Sequence, residues 1–200
     1  VINELFESLS IVRDTFEDMG TAWALVGGLA VSCYVDPRFT RDIDVAVAVK
    51  NDADAESFLH GWQSRGYVLS AVMEQDAVGR LSTARTTRER SQEWVYVDLL
   101  FASSGIEVEI VEQAQAIAVI PEVVIPVARP GHLFALKLLS ESADERPQDA
   151  MDLRSLREII VGEERKAAEE ATRLIMDRGY GRGRDLSSRL KHTLREGDLG

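Results

Sequence analysis

Apolar residues at Ile2, Leu5, Phe6, Leu9, Val12, Phe16 and Met19 recur every three or four positions, which predicts an amphipathic helix over 2–19 ending at Gly20. The period then shortens. Thr21 to Val26 (T-A-W-A-L-V) is a largely apolar run of strand length, closed by Gly27 and Gly28. Residues 29–35 read as a short helix stopped before Pro37, and residues 42–49 as a second strand. Asn51 or Asp52 caps a helix over 53–65 that turns Phe58, Leu59 and Trp62 inward and stops at Gly66. Tyr67 to Met73 and Arg80 to Arg85 read as strands, and Thr86 to Glu93 as a charged connection. Trp94 to Phe101 is a strongly apolar strand interrupted by Asp98. Residues 106–114 fit strand alternation or a helix, with helix preferred; Ala116 to Ile120 and Val123 to Val127 are short strands around Pro121.

At Ala128-Arg129-Pro130-Gly131 the pattern turns wholly helical, with predicted helices over 131–141, 148–161, 163–178 and 185–195 and a glycine-rich break at 179–183. No internal repeat appears. The expected organisation is an α/β domain over 1–128 followed by a helical domain over 129–200.

Composition narrows the function classes. At 200 residues the chain can bury a sizeable core. No apolar run approaches the length of a membrane span, and the acidic N-terminal stretch is unlike a secretory signal. The single cysteine, Cys33, excludes an intramolecular disulfide, so a cytoplasmic location is the simplest expectation. The scattered His60, His132 and His192 have no zinc-ligand spacing. A net charge of −11 argues against nonspecific coating of nucleic acid. The balance reverses locally: Arg178, Arg182, Arg184, Arg189, Lys191 and Arg195 face one acid, Asp185, and that stretch could touch a polyanion.

The candidate chemistry lies on the second strand. Side chains two apart on a strand share a face, roughly 7 Å apart. Asp42 and Asp44 therefore project together, while Ile43, Val45 and Val47 point into a core. Paired carboxylates repel one another unless a cation intervenes, and Mg²⁺ favours such oxygens with substrate phosphates completing its shell. Asp98, mid-strand, is costly to bury alone. It is either a third ligand across neighbouring strands or the partner of Arg85, Arg88 or Arg90. Three carboxylates could hold two ions about 4 Å apart, the arrangement that clamps both oxygens of an in-line displacement. Gly27 and Gly28 allow the backbone to approach phosphate oxygens closely. Lys137 interrupts the apolar helical face of Leu133, Leu136, Leu138 and Leu139, and an inward lysine there needs an anion.

The motif G27-G28, thirteen residues, D42-I43-D44, then an isolated strand aspartate, resembles the DNA polymerase beta-like nucleotidyltransferase superfamily. The segments R38-F-T-R-D-I-D-V, V97-D98-L-L, L133-F-A-L-K137-L-L and R146-P-Q-D149-A-M-D152-L, with the tail G-Y-G-R-G-R-D-L, resemble its abortive-infection (AbiE-type) toxin branch. The resemblance covers most of residues 22–160. It implies a mixed β-sheet nucleotidyltransferase core flanked by helices, with a C-terminal helical bundle. It also implies Asp42, Asp44 and Asp98 as metal ligands for Mg²⁺ or Mn²⁺, and Gly27 and Gly28 as the phosphate-contacting turn. Lys137 becomes the lysine reaching the nucleotide phosphates and Asp149 the acid of the last motif. Arg38, Thr40 and Arg41 are further nucleotide-binding candidates. Gln148 stands where the family often carries a basic residue.

The expectation is an NTP-consuming nucleotidyltransferase whose acceptor is RNA, particularly a tRNA 3′ end, acting as a toxin with a cognate antitoxin and no membrane association. Transfer to an aminoglycoside, a lincosamide or a protein is the alternative enzyme reading. A nucleotide-binding regulatory module without turnover is the non-enzymatic one.

Overall fold

Strand residues that bury both faces need cover from both sides, and this governs how the chain folds around its second strand. The computed structural model describes residues 2–37, 40–88, 95–120, 123–141 and 147–195. Among these, seven strands form one mixed sheet: β1 (Trp23–Val26), β2 (Ile43–Val47), β3 (Tyr67–Gln75), β4 (Arg80–Arg88), β5 (Tyr96–Leu100), β6 (Gln115–Ile120) and β7 (Val123–Val127). Their order is β3-β4-β5-β2-β1-β7-β6. The β2–β5 and β1–β7 junctions are parallel and the other pairs antiparallel. The mixed sheet expected from the resemblance is therefore present.

The helices are α1 (Ile2–Met19), α2 (Gly27–Val31), α3 (Asp52–Gln63), α4 (Glu107–Glu112), α5 (Pro130–Ser140), α6 (Pro147–Arg157), α7 (Gly162–Asp177) and α8 (Leu186–Arg195). Helix α1 follows its apolar period, burying Leu5, Leu9, Val12 and Phe16. The Asn51 side chain caps α3 by accepting from the Asp54 N–H at 2.9 Å. Between α1, α3 and the sheet lies an aromatic cluster in which Phe16 stacks on Trp23 and Phe58, and Trp62 on Tyr67. Within 106–114 the chain forms a helix, α4 (Glu107–Glu112), as preferred.

Several boundaries differ from the sequence reading: the helix expected over 148–161 stops at Arg157, β3 runs on to Gln75, and two further differences concern α2 and β4. Helix α2 begins at the glycine pair itself rather than at residue 29, because Val26 is still extended and serves as its N-cap. Strand β4 continues through Arg88, so Thr86 to Arg88 belongs to the sheet and not to a charged connection. The signal was hidden because Thr86 and Thr87 are buried polar residues. Thr86 is satisfied there, accepting from Trp62 Nε1 at 3.2 Å and donating to the Val97 carbonyl at 3.0 Å.

Beyond β7 the helices pack closely. A Cβ on Gly131 would meet the Glu164 carbonyl oxygen at 2.5 Å and Ala167 Cβ at 2.7 Å, so glycine sets the α5–α7 approach. Glu164 holds the start of α5, accepting from Arg129 and from the Gly131 N–H at 2.8 Å. Buried residues of the sheet and of α5 to α8 belong to one continuous hydrophobic cluster. None of the described helices is long and apolar enough to cross a membrane.

Candidate active site

The sheet register builds the site. Arg85 of β4 stands opposite Asp98 of β5, Asp98 opposite Asp44 of β2, and Asp44 opposite Val26 of β1. Directly paired residues project on the same face. Four strands therefore lay Arg85, Asp98 and Asp44 side by side, in a row that runs into the glycine pair following Val26. On the opposite face of β2, Ile43, Val45 and Val47 are fully buried, as their alternation with the aspartates predicts.

Gly27 closes the row. It has φ +69°, and a Cβ there would lie 2.0 Å from Asp44 Oδ2 and 2.6 Å from its carboxyl carbon. Both the backbone conformation and the space demand glycine. The first glycine of the pair is thus the seat of the Asp44 carboxylate. Gly28 is buried within α2.

The carboxylates perturb one another. Asp44 is partly open to solvent but densely surrounded, and burial pushes its pKa up to about 7, with the negative charges of Asp98 and Asp42 adding to the rise. Lys137 and Arg85 act in the opposite sense, so α5 brings the Lys137 charge into the field of this site. Asp42 is raised as well, again chiefly by burial, with Arg85 opposing and Asp98 adding.

Arg85 is the resident counter-charge. Its Nε and Nη2 donate to the two oxygens of Asp98 at 2.8 and 2.6 Å, a bidentate fork. Nη2 also lies 3.6 Å from Asp42 Oδ2, and the guanidinium sits 4.9 Å from the Tyr96 ring centroid. The hydrogen bond with Asp98 is the main cause that raises the Arg85 pKa above its ordinary value. Both sequence readings of Asp98 therefore meet in one place: it adjoins Asp44 and it is paired with Arg85.

Lys137 points inward, and the anions that an inward lysine needs come from α6. Nζ lies 2.6 Å from Asp149 Oδ1 and 2.7 Å from Asp152 Oδ2, with all three side chains nearly buried. The Ser140 hydroxyl donates to the other Asp149 oxygen at 2.8 Å. Asp149 therefore positions Lys137. The contribution of Asp152 was missed, because nothing in the sequence spacing shows that two acids of α6 converge on one lysine of α5. Thr40 is half-buried and Arg41 exposed just before β2. Arg38, Arg90 and Arg146 lie outside the described residues.

The basic stretch near the C-terminus is largely engaged with the protein itself. Arg178 pairs with Glu109 and donates to the Gly105 carbonyl. Arg182 donates to the Ser103 carbonyl at 3.2 Å, and Arg184 to the carbonyls of Leu139 and Glu141. Arg189 pairs with the Glu141 carboxylate. Lys191 and Arg195 are exposed on α8.

The sequence pattern of the family described as "Nucleotidyl transferase AbiEii toxin, Type IV TA system" matches residues 11–199. The chain belongs to this family. It is accordingly a nucleotidyltransferase of a toxin family. Among solved structures it is similar to an antigenic nucleotidyltransferase-like protein from Paracoccidioides brasiliensis, with 16% identity over 94% of this chain and 93% of that one and a TM-score of 0.55. It is also similar to a candidate nucleotidyltransferase from H. pylori, with 16% identity over 99% and 93% of the two chains and a TM-score of 0.50. At such identity the likeness concerns the fold. No curated protein matches the sequence significantly.

The donor set suits a hard divalent cation. A carboxylate raised by burial and by the charges of two neighbouring aspartates, as Asp44 is, is the arrangement such an ion relieves. Among the described residues, however, no three His, Cys, Asp or Glu side chains are placed to enclose a metal by themselves. The fit is to an ion that draws part of its shell from substrate phosphates or water.

Proposed function

We propose that this member of the AbiEii toxin family transfers a nucleotide from an NTP to the hydroxyl of an RNA acceptor, in particular a tRNA 3′ end, with Mg²⁺ or Mn²⁺. The observation that carries the reading is Asp44 seated on Gly27 beside Asp98, within the field of Lys137. Asp42 and Asp44 would hold the ion, which when bound neutralises charge on the phosphates. The Gly27-Gly28 turn and Lys137 orient the triphosphate, with Thr40, Arg41 and Arg38 along its approach. Asp149, joined by Asp152, keeps Lys137 aimed. The acceptor oxygen forms its bond to the α-phosphorus while the bond to the β-phosphate oxygen breaks. Pyrophosphate leaves, and the hydroxyl proton passes to the carboxylate cluster, to which Asp98 contributes on the acceptor side. Positioning and charge neutralisation supply most of the rate.

Residues 1–128 form the catalytic part in this reading, and 129–200 the helical part that supplies Lys137. Toxin-family membership supports a cognate antitoxin and action in the cytoplasm. The exposed Lys191 and Arg195 on α8 support RNA contact.

The test is incubation of the protein with each labelled NTP and Mg²⁺ or Mn²⁺, together with total tRNA, a panel of aminoglycosides and lincosamides, or a lysate. Label in tRNA that disappears with Asp44→Ala is the expected result. Label confined to the antibiotics or to proteins would reject the RNA acceptor. Bound NTP with no transfer anywhere would reject turnover.

A further inference from the structure

Three carboxylates on adjacent strands invite the reading of a three-ligand metal site, yet the third is already occupied. Both oxygens of Asp98 accept from Arg85, at 2.8 and 2.6 Å, in the geometry guanidinium and carboxylate share most favourably. The register makes the pairing unavoidable in the folded sheet, since the two residues are directly opposed on β4 and β5. The pair is braced: Tyr96, two residues before Asp98 on the same strand, lies under the guanidinium at 4.9 Å, and Asp42 attracts its outer edge at 3.6 Å. The Asp98 side chain is only 10% exposed, against 40% for Asp42, so water cannot readily replace the arginine.

We infer that Arg85 acts as an internal cation that withholds Asp98 from the metal, so that the resting protein offers a divalent ion Asp42 and Asp44 only, and Asp98 becomes available when Arg85 swings away. The inference rests on the metal-dependent reading above. It makes Arg85 a positioning residue: it acts through Asp98 and sets how strongly the site loads before nucleotide arrives. Part of its side chain, 37%, is exposed, which leaves room for the movement. An incoming triphosphate supplies a stronger anion for the guanidinium than a single carboxylate, so substrate binding itself would release Asp98. In the sequence Arg85, Arg88 and Arg90 are equivalent candidates to pair with Asp98, and the sheet register selects Arg85.

The experiment is titration of the protein with Mn²⁺ alone, following the electron paramagnetic resonance signal of the free ion, with no nucleotide and no turnover. The variants are R85Q, R85K, D98N, R85Q/D98N and D44N, each shown to be folded by its melting curve. R85Q should tighten Mn²⁺ binding about 10-fold, and the double variant R85Q/D98N should lose that gain. R85K keeps the positive charge without the fork. It should tighten binding about 3-fold if the fork is what withholds Asp98. Wild-type affinity in R85Q would overturn the inference. So would a gain in R85Q that persists undiminished in R85Q/D98N, since that reports only a change in overall charge. If wild type and R85Q both fail to take up Mn²⁺, the inference and the metal reading fall together. Mn²⁺ uptake that D44N abolishes but Arg85 variants leave unchanged sinks the inference alone.

Discussion

Replacing Asp44 by asparagine should make the protein more stable and inactive at once. The side chain keeps its shape, so it still fits against Gly27, but it loses the charge that burial, Asp98 and Asp42 oppose. Moving a carboxyl from its ordinary 3.8 to about 7 corresponds to about 4 kcal/mol at pH values above both. Solvent access to a half-buried group and small adjustments of Arg85 relieve part of this, leaving about 1–3 kcal/mol to be recovered by the substitution. For a chain of this size that is a rise in Tm of about 3–8 °C. The sign follows from linkage. The folded-state pKa lies above the unfolded one, so between about pH 4 and pH 7 the unfolded chain holds fewer protons than the folded one. This group therefore erodes stability as pH rises through that window and does no further harm above it. The assay is thermal melting of chelator-treated wild type and Asp44→Asn at pH 5, 6, 7 and 8. The gap between the two curves should be smallest at pH 5 and widen to its full size by pH 8, with nucleotide transfer absent in the variant. Equal or lower stability of Asp44→Asn at pH 8, or parallel pH profiles, would refute the reasoning.

Further consequences can be checked with the same melts. Gly27→Ala places a Cβ 2.0 Å from Asp44 Oδ2 at φ +69° and should cost at least about 3 kcal/mol together with transfer activity. Gly66→Ala, at φ +87° with open space around it, should cost only about 1 kcal/mol. Lys137→Met leaves Asp149 and Asp152 buried without their cation and should destabilise by about 3–5 kcal/mol, with part of the loss restored when both acids become asparagine. His132 runs opposite to Asp44: burial lowers its pKa to about 4, so stability present above about pH 6.5 is lost as pH falls toward 4. His132→Phe should flatten that acid limb in a urea-denaturation series.

Most helices and strands up to residue 128 were legible because they carry one clean period. The apolar stripe of α1, the alternation around Asp42 and Asp44, and the burial of Ile43, Val45 and Val47 follow from residue order alone. Lys137 stood out as a charge on an otherwise apolar face, but that pattern did not decide between an inward and a surface position. Pairing across distance was not legible. Arg85 meets Asp98, and Lys137 meets Asp152, only after strands and helices far apart in sequence come into register. Thr86 and Thr87 concealed the end of β4 because their burial is satisfied by Trp62 and a neighbouring strand, a tertiary fact. The basic run near the C-terminus misled in the other direction. A row of arginines reads as a free patch until Glu109, Glu141 and several carbonyls are found waiting for four of them.

The parallel junction between β1 and β7 has a bearing on how a ribosome delivers such a chain. Leu25 pairs with Val127, about a hundred residues further along, so the second edge of β1 stays unpaired until that strand has been made. A nascent chain displaying Gly27, Asp42, Asp44 and Asp98 would still lack the strand that braces β1, and Lys137 with its two acids follows later still. Contacts this remote form slowly and late. The strand that flanks β1 on its second edge, and the lysine that reaches toward the site, thus come from chain made well after the carboxylate row itself.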